Sequence, residues 1–293
     1  MGSGLHACSL PLQRTREYRW PEIALPPLTP SQIADYVNDT LARHGKHPGP
    51  EQLQLIVAKP EANSADYLEL LIRSLRTYGA HDTLTALIEG FPGDLAGALN
   101  VFLNGLERSF GVEVPRVVLS LIACSPYGLE PHRLMGIAAN AGFGDKQIRD
   151  LRGEITGFLI DRAGAMSFNT RAFWRAVADR YLSDRQQETR YHVLLANSYW
   201  AELHPVAWGT DSARALCALP FHLQMAGEWT RLQTFLTDFR FLSTKARRVD
   251  VWEGTNERGE VTCNHEGYYS VLEDLRAFAV EGPIDADPQG LRA

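Results

Sequence analysis

Four residues offer the side chains of a zinc site: Cys217, His222, Cys263 and His265. Two thiolates and two imidazoles are enough for a tetrahedral ion, but structural zinc ligands come in recognisable, regularly spaced pairs. The spacing here matches no usual pattern, so the expectation is four unrelated residues on two helices and a loop. Phosphate chemistry fares no better. Gly45-Lys46 lacks the upstream glycine and the following hydroxyl of a phosphate loop and reads as a helix C-terminus. Gly142-x-Gly144 lacks a preceding strand and a third glycine, and reads as a loop. No G-x-S-x-G elbow, H-E-x-x-H pair or paired-carboxylate site is present, and the 9 histidines are scattered. No catalytic residue, metal or cofactor is therefore assigned. Arg171 and Arg175 lie four residues apart, on one face of a helix, with Arg180 further along. They would face phosphates if the chain bound nucleic acid, but Asp179 and Asp184 dilute the patch.

These arginines belong to the stretch that organises the chain, Gly153 to Leu182. Its first half alternates apolar and polar at Ile155, Phe158 and Ile160, breaks at Ala163-Gly164, and resumes at Met166 and Phe168, the pattern of a two-strand hairpin. Its second half switches to a helical period at Phe173, Ala176, Val177 and Tyr181. The small Ala176 suggests close approach of a neighbour, expected to be the helix carrying Leu121 and Ile122. Apolar helical runs at Val117–Cys124 and Pro131–Ala139 precede it. Helix, helix, hairpin, helix is the order of a winged-helix variant.

Thr29-Pro30-Ser31-Gln32 is a helix start with a capping box, and the helix carries Ile33, Tyr36, Val37 and Leu41 inward as far as Gly45. Another begins at Gly49-Pro50-Glu51. Tyr67–Tyr78 carries the stripe Leu68, Leu71, Ile72 and Leu75, with Gly79 at its C-terminus. A helix from Leu95 to Phe110 closes at Gly111. Beyond the central stretch, faces appear at Tyr191–Tyr199, at Leu216–Ala226 with a kink or helix start at Pro220, and at Leu232, Phe235, Leu236 and Phe239. Residues 246–265 read as an irregular loop, and Tyr268–Phe278 as a last helix. The fold expected is mainly α: an extended segment at 1–28, a helical domain at 29–111, a winged-helix domain with a short β-hairpin at 112–183, a second helical domain at 184–245, and a loop, helix and tail at 246–293.

With 293 residues, two or three modules are expected. A net charge of −6 argues against a dominant phosphate-binding role. No apolar run approaches the ~20 residues of a membrane span, and no secretory leader opens the chain, which reads as cytoplasmic. The 4 cysteines are too scattered for a disulfide framework, and Cys124 reads as a small buried hydrophobe.

Several phrases, in order, resemble the C-terminal arm of NACHT-type, STAND-class signalling ATPases: residues 20–46, YLELLIRSLRTYG at 67–79, VVLSLIACSPYGLEPHRLMGI at 117–137, FNTRAFWRAVADRYL at 168–182, and residues 218–242. The resemblance implies a helical and winged-helix arm that clamps a nucleotide in a closed state and reorganises on activation. It also implies a phosphate loop and a magnesium-binding strand upstream of residue 1, so a chain without a nucleotide-binding core is expected. Where that class has Asn-Pro-Leu, this chain has Ser64-Ala65-Asp66, and where it presents a histidine to phosphate, this chain has Thr170. These four positions are the nucleotide contacts by resemblance, degenerate here. The expectation is a non-catalytic regulatory arm of a signalling or defence switch that binds protein partners such as a separate ATPase core or a repeat-domain protein, and neither membrane nor nucleic acid. A nucleic-acid-binding winged helix using Arg171 and Arg175 is the alternative.

Overall fold

The computed structural model describes residues 26–77, 84–204, 208, 212–248, 253–255, 261–263 and 266–282. It is mainly helical, with fourteen α-helices and two small antiparallel hairpins among those residues. The chain divides into two compact units: one formed by the residues up to Pro115 with Thr170–Ala176, the other by Arg116–Asn169 with Val177 onward. No described helix is long and apolar enough to cross a membrane.

The first unit begins where the capping signal lies. Helix α1 (Pro30–Ala42) has Thr29 at its N-cap, and the Thr29 N–H donates to Gln32 Oε1 at 2.9 Å in a complete capping box. Ile33, Val37 and Leu41 form its buried face, while Tyr36 is exposed. Helices α2 (Pro50–Val57), α3 (Ala65–Thr77), α4 (Leu84–Gly90) and α5 (Leu95–Phe110) follow. The α3 stripe is fully buried, and Tyr67 heads it with its hydroxyl donating to Pro92 O at 2.6 Å. Its phenol is pushed up to about 12, by burial and then by Asp94 and Glu61. Lys46 caps α3 instead of a phosphate: its Nζ donates to Leu75 O at 2.6 Å and Arg76 O at 2.8 Å. Tyr78 and Gly79 lie outside the described residues, as does the 1–25 part of the N-terminal segment. Helix α4 was not legible in the sequence, because seven residues with Leu84 and Ile88 as the buried pair carry too little periodicity.

The second unit contains α6 (Glu113–Ala123) from Arg116 onward, then α7 (Pro131–Asn140), α8 (Asp145–Ile155), a 3-10 turn at Thr156–Phe158, and strands β1 (Leu159–Arg162) and β2 (Ala165–Phe168). The hairpin is shorter than its alternation suggests. Ile155 is the last residue of the buried α8 stripe Ile148, Leu151, Ile155, and Phe158 ends the 3-10 turn. An extra helix therefore stands before the hairpin, hidden in the sequence because its stripe is narrow and Ile155, which ends it, also begins the apparent strand alternation. The register pairs Arg162 with Ala165, which leaves Ala163-Gly164 as a two-residue turn. Both have positive φ, +53° and +78°, as a primed hairpin turn demands. Leu129 adds a third rung: its N–H and C=O exchange hydrogen bonds with Met166, each 2.9 Å.

Helix α9 (Arg171–Tyr181) buries Phe173 and Val177 completely. The ring of Phe173 lies against Phe102 of α5, 6.0 Å between centroids, and Phe173 groups with the first unit, whereas Leu121 and Ile122 group with the second. The second unit continues with α10 (Arg185–Leu203), α11 (Ala213–Met225), α12 (Trp229–Leu236), α13 (Phe239–Arg248), β3 (Glu253–Thr255), β4 (Val261–Cys263) and α14 (Glu266–Glu281). Helix α11 runs on through Pro220 rather than starting there. Phe239 is 79% exposed, not part of the inner face read from the sequence. Asp238 stops that face: its Oδ1 accepts the Arg240 N–H at 2.9 Å and starts α13, which turns Phe241 inward instead. Residues 246–265 are not wholly irregular, since α13 extends to Arg248 and β3 pairs with β4.

Candidate functional site

Ser64, Ala65 and Asp66 sit at the N-terminus of α3. The Ser64 carbonyl accepts the Leu68 N–H at 3.1 Å, and Ala65 and Asp66 are exposed in the first turn. Thr170 caps α9, its Oγ1 accepting the Phe173 N–H at 3.3 Å. All four belong to the first unit, and each is accounted for by starting a helix. Arg171 and Arg175 are both exposed on α9. Of the four zinc candidates, the side chains of Cys263 and His265 lie outside the described residues. Cys217 Sγ lies 3.8 Å from Ser270 Oγ. His222 turns instead to another histidine, and no metal-binding cluster occurs among the described residues. Cys124 is buried, and burial raises its thiol far above the ordinary range.

The densest polar chemistry lies where α7, α10 and α11 meet, all within the second unit. Helix α7 begins after Glu130 because Pro131 fixes the first helical φ and needs no N–H partner. That places Glu130 at a helix N-terminus and Arg133 one turn on, both buried at 8% and 4% exposure. Ionised groups so deep must be paired, and these are. Arg133 Nε donates to Glu130 Oε2 at 3.2 Å and Nη1 to Ser198 Oγ at 2.9 Å, while Nη2 reaches Glu202. The guanidinium also lies 3.6 Å over the ring of Tyr199, whose hydroxyl donates to Glu130 Oε2 at 3.2 Å. Arg214, at the start of α11, completes the set. Its Nη1 stands 3.4 Å from Glu130 Oε1, its Nε donates to Tyr127 O at 3.0 Å, and its Nη2 donates to Ala163 O at 3.2 Å. One arginine of α11 thus ties the hairpin turn and the loop before α7 to that helix.

Electrostatics follow from the pairing. Burial alone would raise the Glu130 carboxyl, but its own backbone N–H, Arg133 and Arg214 outweigh burial and hold it below the usual carboxylate range. Tyr199 shifts upward, by burial first and then by the Glu130 charge.

Tyr199 stacks on His222, 5.7 Å between centroids and 14° from parallel. His222 Nδ1 lies 2.9 Å from His192 Nδ1, so one ring donates and the other accepts. His222 Nε2 is buried with no partner. The least costly assignment makes His222 the Nδ1–H donor, leaving Nε2 a bare lone pair rather than an orphaned N–H. Burial lowers both imidazoles, His192 to about 4 and His222 well below its ordinary value, with His192 and Arg133 adding to the shift of His222. Both rings are neutral at pH 7. Nothing in the sequence spacing joins 130, 133, 192, 199, 202, 214 and 222. The only local signal is Glu130 and Arg133 at i, i+3 after Pro131.

No family model matches the chain, and no solved structure matches it. It is similar to telomerase protein component 1 of Rattus norvegicus, 26% identical over 257 residues, and to telomerase protein component 1 of Mus musculus, 26% identical over 254. Each match covers 75% of this chain and 10% of the relative, so the chain spans about a tenth of the length of the curated relatives it matches.

In this cluster each charge is met by another charge or a hydrogen bond, and both imidazoles are held neutral. That arrangement suits a clamp between elements.

Proposed function

We propose that the chain is a non-catalytic regulatory arm of a STAND- or NACHT-like signalling or defence switch, acting through contact with other proteins. In this reading, residues 29–111 are a helical domain, 112–183 a winged helix and 184–245 a second helical domain. Support for the winged helix comes from the order α6, the Leu129 rung, α7, α8 and hairpin, in which α8 takes the place before the wing. The observation that carries the functional reading is the Arg133–Glu130–Arg214 cluster. Its charges are neutralised internally and lock the wing turn to the helices that follow. A rigid arm transmits a partner's movement, whereas an enzyme site needs an addressable group. The relatives are by name a protein component of telomerase, and a module matching a tenth of such a component fits a role in assembly.

Ser64, Ala65, Asp66 and Thr170 are, on this account, nucleotide-contact positions reduced to helix starts. Partners of the kind envisaged are a separate ATPase core or a repeat-domain protein. Calorimetric titration of the chain with ATP and with ADP, in the presence of magnesium, tests the reading. No heat of binding is expected, and micromolar affinity for either nucleotide overturns it. Retention of random duplex DNA at physiological salt, abolished by Arg171→Ala with Arg175→Ala, would replace it with nucleic-acid binding.

A further inference from the structure

Helix α14 lies on a groove formed by α11, α12 and α13, all within the second unit, and a lysine is shut beneath it. Lys245 of α13 is 1% exposed. Its ammonium donates to Asp274 Oδ2 and stands 3.5 Å from Ser270 O, both on α14. Asp274 is the acid paired with it. The rest of the seat is apolar or neutral. Phe278, one turn after Asp274, enters the core cluster with Leu219, Leu223, Phe235 and Phe241, and its ring meets that of Trp229 edge-on, 6.2 Å between centroids. Cys217 faces Ser270, and Gln224 Nε2 donates to Glu281 Oε2 at 2.9 Å.

Two observations show α14 to be held less firmly than the helix beneath it. Among its described side chains Phe278 alone is buried, whereas α11 buries seven. Leu272 and Val280 are 45% and 82% exposed, so the apolar residues of α14 are divided between its seated and outer faces. The ion pair, for its part, does not offset its own desolvation. Burial raises the Asp274 carboxyl to about 6 even with Lys245 pulling it down. Elements with few buried apolar contacts open locally before the rest of a fold. Once α14 lifts, an ammonium is left in an apolar groove, a state that costs free energy until a carboxylate returns. The groove thus specifies its occupant, and α14 displays the pattern: a carboxylate and a large aromatic four residues apart on one helix face.

We propose that α14 is a releasable cover and that the groove beneath it docks an amphipathic helix of a protein partner with an acid and a large aromatic four residues apart. The partner's acid replaces Asp274 against Lys245, and its aromatic replaces Phe278 beside Trp229. A partner helix that gathers its apolar residues on the seated face, as α14 does not, displaces it. The inference rests on the protein-contact reading above and names the chemistry of the partner. It also brings that partner next to the clamp. The Tyr127 phenol is raised by burial and then by Cys217, Asp274 and Glu273 of this same seat, and Arg214 holds the Tyr127 carbonyl.

Hydrogen exchange on the full chain should be faster at 270–281 than at 215–223. The binding probe is a fluorescent peptide of residues 266–282, titrated into the full chain. Capture is expected, and Asp274→Asn in the chain, which loosens its own cover, should tighten it about tenfold. The same substitution in the peptide, or Phe278→Ala there, should weaken capture about tenfold. Lys245→Met in the chain should erase the preference for the Asp peptide over the Asn peptide, and Arg171→Gln should change nothing. If Lys245→Met does not fold, the Asp274→Asn arms in chain and peptide keep the test in force. Exchange as slow at 270–281 as at 215–223, no capture by either chain, or equal capture of the Asp and Asn peptides overturns the proposal. Failure of the peptide without nucleotide binding removes this docking site alone; micromolar nucleotide binding removes the protein-contact reading whatever the peptide does.

Discussion

At the scale of single residues, His192 and His222 make the chain's stability depend on pH. An imidazole in the unfolded chain titrates near 6.5, while in the fold burial lowers both rings, His192 to about 4. Between those values the unfolded state binds more protons, so this stability is fully present above about pH 6.5 and lost as pH falls. Chemical denaturation at pH 7.5, 6 and 5 should show a progressive loss of up to about 1.4 kcal/mol per pH unit for each histidine. His192→Phe should make the profile shallower, since His222 stays buried, and a profile that the substitution leaves unchanged would mean that His192 titrates as a solvated ring. Phe173 offers a contrast in packing. Its side chain is fully buried against Phe102, so Phe173→Ala should cost roughly 3–5 kcal/mol. Exposed Arg171→Ala should stay within about 0.5 kcal/mol, and thermal or urea melts compare the two directly.

At the scale of elements, the hairpin carries opposite lessons at two adjacent turns. Gly128 has φ +80°, and a Cβ there would stand 3.0 Å from Ala165 Cβ and 3.1 Å from Ser167 Oγ. Only glycine lets Leu129 reach Met166 at that point, and Gly128→Ala should cost about 1–3 kcal/mol in a denaturant series. Ala163 has φ +53° in a primed turn, with open solvent around it. There the side chain is a burden, and Ala163→Gly should stabilise by about 0.5–1 kcal/mol. If the melting temperature falls instead, the turn is not of the primed type.

At the scale of the whole molecule, the cluster around Arg133 joins α7, α10 and α11, and Arg214 extends it to the hairpin. Arg133→Ala leaves Glu130 buried without its main partner and should cost about 3–5 kcal/mol, read as a shift in the urea midpoint at pH 7. Arg214→Ala should act more locally. Hydrogen exchange at residues 159–168 should quicken while the α10 and α11 core keeps its protection. Uniform loss of protection would show that the turn and the helices unfold as one body.

What could be read from the chain alone was whatever neighbouring residues decide among themselves. Thr29, Pro30 and Gln32 specify the start of α1, Leu68, Leu71, Ile72 and Leu75 specify the buried face of α3, and Ala163-Gly164 specifies the hairpin turn. Each depends on contacts within a few residues, so spacing and residue type suffice. Helix α8 was missed because the Ile155 that ends its buried stripe also begins an apparent strand alternation, and backbone pairing at Leu159 settles that ambiguity. The inward placement of Phe239 failed because Asp238, acting as a cap two residues before Arg240, outweighs a hydrophobic period. Glu130, Arg133, Tyr199, Arg214 and the two histidines could not have been grouped from sequence. They converge only because α7, α10 and α11 pack together, and a buried charge reveals its partner only when chain segments 84 residues apart come within hydrogen-bond reach.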